Sequence, residues 1–191
     1  MARLGVAVFT VVSSFWAFAS AATAVSVADQ AALEKEMCPT GKCQRDLRVT
    51  LRREDGTLYE GRFKVWPATV QPMGVIVMAG QTVYVEAEVA GDRLVNLVAV
   101  NTVTRPERTI TAKFEQNAKG GMLLTLHNPF PKELKFNMGM MPLKSERLVK
   151  TSSCPVGAGI HLLEHWPFPI FQVVLGNPRL LNAGDNLACV N

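Results

Sequence analysis

The chain has 191 residues, 48% of them hydrophobic, and 20 Lys and Arg against 16 Asp and Glu give a formal net charge of +4. That is apolar material for one sizeable core rather than two. The cations are dispersed instead of clustered among exposed aromatics, which argues against a nucleic-acid footprint.

Residues 1–24, MARLGVAVFTVVSSFWAFASAATA, have one early cation at Arg3, an apolar run, and a small-residue end at Ala22-Thr23-Ala24. This is the layout of a secretory signal peptide, so cleavage is expected after Ala24, which lowers the net charge from +4 to +3. A membrane anchor competes, because the run is about long enough to span a bilayer, but its serines and small-residue end favour cleavage. Residues 25–44 then form a leader. Within it Ala28–Met37 has good helix formers and an acid near its start, but too few apolar positions for a core element. Cys38, Cys43, Cys154 and Cys189 all follow the export segment, and an even count in an oxidising compartment points to disulfides. Of the three pairings, Cys38–Cys43 with Cys154–Cys189 is favoured: the first closes a small loop, the second ties the end of the chain to its middle. The competing zinc reading lacks any C-x-x-C spacing.

From Arg45 onward the apolar residues alternate with period two. Leu47, Val49 and Leu51 share one face, Asp55-Gly56 turns, and Leu58–Val65 returns, which predicts a hairpin. Trp66-Pro67 and Gln71-Pro72 interrupt the chain before a short strand at Gly74–Met78. Gln81–Val89 should turn Val83, Val85, Ala87 and Val89 inward and Tyr84, Glu86 and Glu88 outward. Leu94–Val103 comes back as a nearly continuous apolar strand, and Arg108–Gln116 places Ile110, Ala112 and Phe114 inward.

The stretch Met122–Leu175 organises the rest. Met122–Leu126 is an apolar strand that ends at Asn128-Pro129-Phe130-Pro131, and Glu133–Met138 then puts Leu134, Phe136 and Met138 on one face and its charges on the other. Ile160–Trp166 and Ile170–Leu175 are strand-length runs divided by Pro167-Phe168-Pro169. Some nine or ten short strands without helical crossovers predict an all-β fold, an antiparallel Ig-like β-sandwich over residues 45–191.

Chemistry-bearing patterns are few. His161-Leu162-Leu163-Glu164-His165 matches H-x-x-E-H, in which a helix aligns two zinc-binding histidines and the Glu acts as base. Gly157 and Gly159 before it and Pro167 and Pro169 after it leave barely two turns of helix, and on a strand Glu164 points away from both histidines. Met138, Met140 and Met141 with His127, His161 and His165 are a donor set suited to copper, although methionine more often fills core gaps. A cupredoxin loop starting at Cys154 and His161 lacks its closing methionine, and neither a nucleophile elbow nor a Gly-rich phosphate loop is present. Trp166, Phe168 and Phe171, set between prolines, are candidates for an exposed aromatic patch that binds a protein or a glycan, with core filling as the alternative.

The run TSSCPVGAGIHLLEHWPFPIFQVVL, together with LHNPFPKELKF, resembles a group of exported proteins of Gram-negative bacteria to which no activity is assigned. The resemblance implies export and a β-rich domain and carries no residue role. The expectation is a periplasmic or secreted, non-enzymatic protein that acts through a protein partner in the cell envelope, with a copper-binding carrier as the alternative.

Overall fold

The computed structural model describes Ala32, residues 34–36, Cys38, and residues 43–145 and 147–189. The segment expected to be a signal peptide and most of the expected leader lie outside the described residues, while Ala32 and residues 34–36 are helical. The first hairpin is β1 (Cys43–Arg52) and β2 (Leu58–Pro67), followed by β3 (Val70–Gln71) and β4 (Gly74–Met78). Next come β5 (Gln81–Ala90), β6 (Arg93–Val100), β7 (Thr109–Gln116), preceded by a 3-10 turn at Pro106–Arg108, and β8 (Met122–His127). The last four are β9 (Leu134–Pro142), β10 (Val149–Lys150), β11 (His161–Trp166) and β12 (Ile170–Leu180).

The chain is an antiparallel β-sandwich. One layer runs β6-β5-β7-β8-β11 and the other β10-β9-β12-β4-β3, and the end of β12, still paired with β9, joins the layers by pairing Arg179 with Arg93 of β6. That contact follows an irregularity between Gly176 and Arg179, with Asn177 at φ 48°, and beyond this extra residue the edge of β12 that had paired with β4 meets β6 instead, while β9 stays its partner on the other edge. One apolar core fills the space between, with Phe114, Leu124, Phe136, Val77 and Val173 at or near zero exposure. Each such side chain contributes about 1.5–3 kcal/mol by leaving water.

Two proline segments carry the chain between layers. β8 and β9 are not partners, nor are β11 and β12; Asn128–Glu133 and Pro167–Pro169 each lead from the first layer to the second. Proline lacks the N–H that would extend a ladder, which suits it to these exits. The first crossing is held by Asn128, fully buried, whose Nδ2 donates to the carbonyls of Lys132 and Val156 while its Oδ1 accepts from the Phe130 amide at 3.0 Å. The second starts at Trp166, which is buried edge-to-face against Phe114 and donates its indole N–H to Thr151 at 2.9 Å.

The β1–β2 hairpin is a separate two-stranded sheet that adds Leu47, Val49 and Leu51 to the core. Gln116 locks it down as an amide clamp: its Oε1 accepts from Arg52 N at 2.7 Å and its Nε2 donates to Arg52 O at 2.8 Å. At the other end Gln81 Nε2 donates to Gln44 Oε1, and Trp66 Nε1 donates to Gln172 Oε1.

Three positions differ from simple alternation. Val89 is 51% exposed and Glu86 is 2% exposed, the reverse of the expected facing. A bulge between Glu86 and Glu88, opposite Asn96 at φ 52°, shifts the register there, and Arg105 pairs with the buried Glu86 carboxylate. Lys135, expected on the solvent face with the other charges of its strand, is buried.

Candidate functional site

The disulfides are Cys38–Cys43 and Cys154–Cys189, the favoured pairing, and no cysteine is free among the described residues. Around the second one lies a buried polar cluster. Lys135 Nζ donates to the carbonyl of Ser153 and, at 3.3 Å, to that of Ala188, so one ammonium binds the residue preceding each half-cystine. Ser153 Oγ donates to Phe136 O at 2.6 Å, and Glu164 Oε1 accepts from the Cys154 amide at 3.2 Å. The H-x-x-E-H pattern is therefore divided by the alternation of β11: Glu164 braces the disulfide while His161 and His165 point outward, exposed. With its carboxylate on the opposite side of the strand, this Glu cannot serve as base to a metal held by those histidines.

The methionines and histidines do not form one donor set. Met138 is buried opposite Leu175, and Met140, paired with Val173, and Met141 pack against the core. His165 stands beside Asn117, with its Nε2 3.4 Å from Nδ2 of that residue. No group of three His, Cys, Asp or Glu suited to a metal ion exists among the described residues. His127 and His161, in contrast, are direct cross-strand partners on β8 and β11, their ring centroids 4.5 Å apart and tilted by 33°.

Partial burial, and secondarily the neighbouring His161, lower the His127 pKa below 6.5. A histidine whose folded-state pKa is depressed favours the fold above its unfolded value and loses that contribution as the pH falls. In chelator-treated buffer, stability should therefore decline as the pH drops through 6.5. Urea midpoints measured across that range should show a smaller decline for His127→Gln; an unchanged pH dependence would remove His127 as its source.

Of the two readings of Trp166, Phe168 and Phe171, core filling holds and the exposed patch does not form. Trp166 and Phe171 are 7% and 6% exposed, and Phe168 is half-buried against the core. Large aromatic rings beside the Pro167–Pro169 crossing gain more by leaving water than by staying exposed, and they fold inward. Phe171 nonetheless becomes the floor of an open aromatic groove whose walls come from the first hairpin. Phe63 and Trp66 lie edge-to-face on it at 5.3 and 5.4 Å, Tyr59 at 6.2 Å, and Phe63 meets Trp66 at 4.9 Å. Gly61 makes this packing achievable, since a Cβ there would lie 2.7 Å from both the Phe63 ring and the Tyr59 hydroxyl. Met141, Pro142 and Leu143 close the far wall, giving a hollow of about 410 Å³. Lys144 and Glu54 bridge its rim at 2.6 Å, and Arg53 lies 5.5 Å over the Tyr59 ring.

Alternation identifies Tyr59 and Phe63 as inward-facing, but only the bulge at Phe171 and the docking of the hairpin bring them to one floor. A larger hollow, about 590 Å³, lies between β3 and the edge of β6, lined by Gln44, Thr69, Gln71, Leu97, Val98 and Ala99. It has no aromatic ring on its walls. Comparison of the chain with protein-family models, curated proteins and solved structures finds no match.

Proposed function

We propose that the protein is an exported, non-enzymatic binding domain of the bacterial envelope, and that it holds an apolar side chain of a partner protein in the groove of Tyr59, Phe63, Trp66 and Phe171. The observation that carries this is the convergence of four aromatic rings on one solvent-open hollow, the composition in which interface energy concentrates. A glycan would need several hydrogen-bonding groups. Here the indole N–H of Trp66 is already committed to Gln172, which leaves little beyond the hydroxyls of Tyr59 and Ser145. The hollow of about 410 Å³ suits a side chain or two rather than a large ligand. Two disulfides are the mark of an oxidising, extracytoplasmic environment, and the leader and the Gram-negative resemblance support the periplasm or the exterior as its place.

Site-specific photo-crosslinking in a Gram-negative envelope tests this. A photoreactive residue at Leu143, on the groove wall, should give a discrete protein adduct, and one at Lys119, in the turn between β7 and β8, should not. Met141→Lys, which places a charge in the groove, should lower the Leu143 adduct by about tenfold or more. Adducts equal at both positions, or an adduct at Leu143 insensitive to Met141→Lys, would remove the groove as the binding site.

A further inference from the structure

We infer that His127 and His161 form a two-imidazole site for a divalent first-row transition metal, with copper(II) preferred, on the outer face of β8 and β11. The inference does not depend on the aromatic groove. It rests on position: the two residues are directly opposite in the antiparallel ladder, their rings side by side with centroids 4.5 Å apart. Two imidazoles so placed can offer nitrogens to one ion after small ring rotations, because cross-strand partners project from the same face.

The surroundings suit a ligand rather than a packing role. His161 is exposed and His127 half-buried, so an ion approaches from solvent. The same row continues from His127 to Thr111 of β7 and from Thr111 to Tyr84 of β5, which places no like charge beside the pair. No protein carboxylate or thiolate completes the set among the described residues, so the remaining positions belong to water or to an external donor. Two nitrogens with open oxygen-filled positions match the tetragonal preference of copper(II), and among divalent ions of this series copper(II) binds such donors most tightly. Zinc, which seeks four protein donors in its closed sites, should bind more weakly here.

The test follows imidazole C–H resonances of the full mature, tag-free protein during addition of copper(II) as its glycine-buffered salt. His127 and His161 signals should broaden together, below one equivalent of metal, before those of His165, which serves as an internal reference. Copper(II) affinity should fall at least about tenfold in His127→Ala and in His161→Ala, since each removes one arm of a chelate, and remain unchanged in His165→Ala. Zinc(II) should perturb the same two histidines at higher concentration. Broadening of His165 as early as the pair, absence of broadening of His127 and His161 at one equivalent, or affinity unaltered by losing either histidine would each overturn the site.

Discussion

Gly74→Ala is expected to be among the most damaging single-methyl additions to this chain, costing about 3–5 kcal/mol, which is a large fraction of the roughly 5–15 kcal/mol that holds a domain folded. Gly74 adopts φ +142°, a region closed to L side chains, and a Cβ there would lie 2.2 Å from the Leu175 carbonyl oxygen and 2.7 Å from the Gly176 Cα. Both neighbours are backbone, so no rotamer change gives relief. β4 must instead move away from β12, the strand that also pairs with β9 and whose Val173–Leu175 lie in the core. Gly56→Ala is the matched control: its φ is +84° with nothing within 4 Å of the added methyl, so it pays the backbone strain alone, about 1–2 kcal/mol. Urea unfolding followed by circular dichroism separates them. Equal midpoints for the two variants would mean that the close approach of β4 and β12 is not what requires glycine at position 74.

Loss of the Cys154–Cys189 bridge, as Cys154→Ala with Cys189→Ala, should cost about 3–4 kcal/mol, the chain-entropy value for its sequence separation of 35. The bridge does more than shorten the unfolded chain. It keeps the Ala188 carbonyl beside Lys135, whose ammonium is buried and has Ser153 as its other acceptor. Burial, reinforced by Arg179 and opposed by Glu164, lowers the Lys135 pKa below 10.5, so the fold holds this charge at a cost that the two carbonyls offset. Lys135→Met should therefore be clearly destabilising with the bridge present and milder without it, with a coupling of about 1 kcal/mol in a double-mutant cycle. Additive effects would show that the ammonium and the disulfide act independently. The bridge between Cys38 and Cys43, at a separation of only 5, should matter less on the same entropic ground.

The histidines and aromatics show how far local pattern reaches. Alternation in β11 is enough to separate Glu164 from His161 and His165, and so to remove the metalloprotease geometry. It does not reveal that His161 faces His127, 34 positions earlier, because that depends on β8 and β11 becoming neighbours across a long connection. In the same way, period two places Tyr59 and Phe63 on the inner face of their hairpin, but the groove exists only because Phe171 is displaced by an irregularity between Ile170 and Gln172 and the hairpin docks over it. Asn128 left only a weak signal, an Asn before Pro, and the four hydrogen-bonding partners of its side chain that make it a fixed point lie up to 29 residues away.

What the sequence determined by itself was the class of fold and the inward faces of most strands, since side-chain alternation and turn residues act within a few residues; among the three cysteine pairings it favoured the one that the structure shows. Tertiary structure alone decided that Glu86 and Lys135 would be buried, and that two histidines and four aromatic rings would meet. The reason is physical: bulges at Asn96 and Asn177 and two proline crossings set which strands become neighbours, and only neighbours across the ladder or the core can supply a buried charge with its partner or build a site.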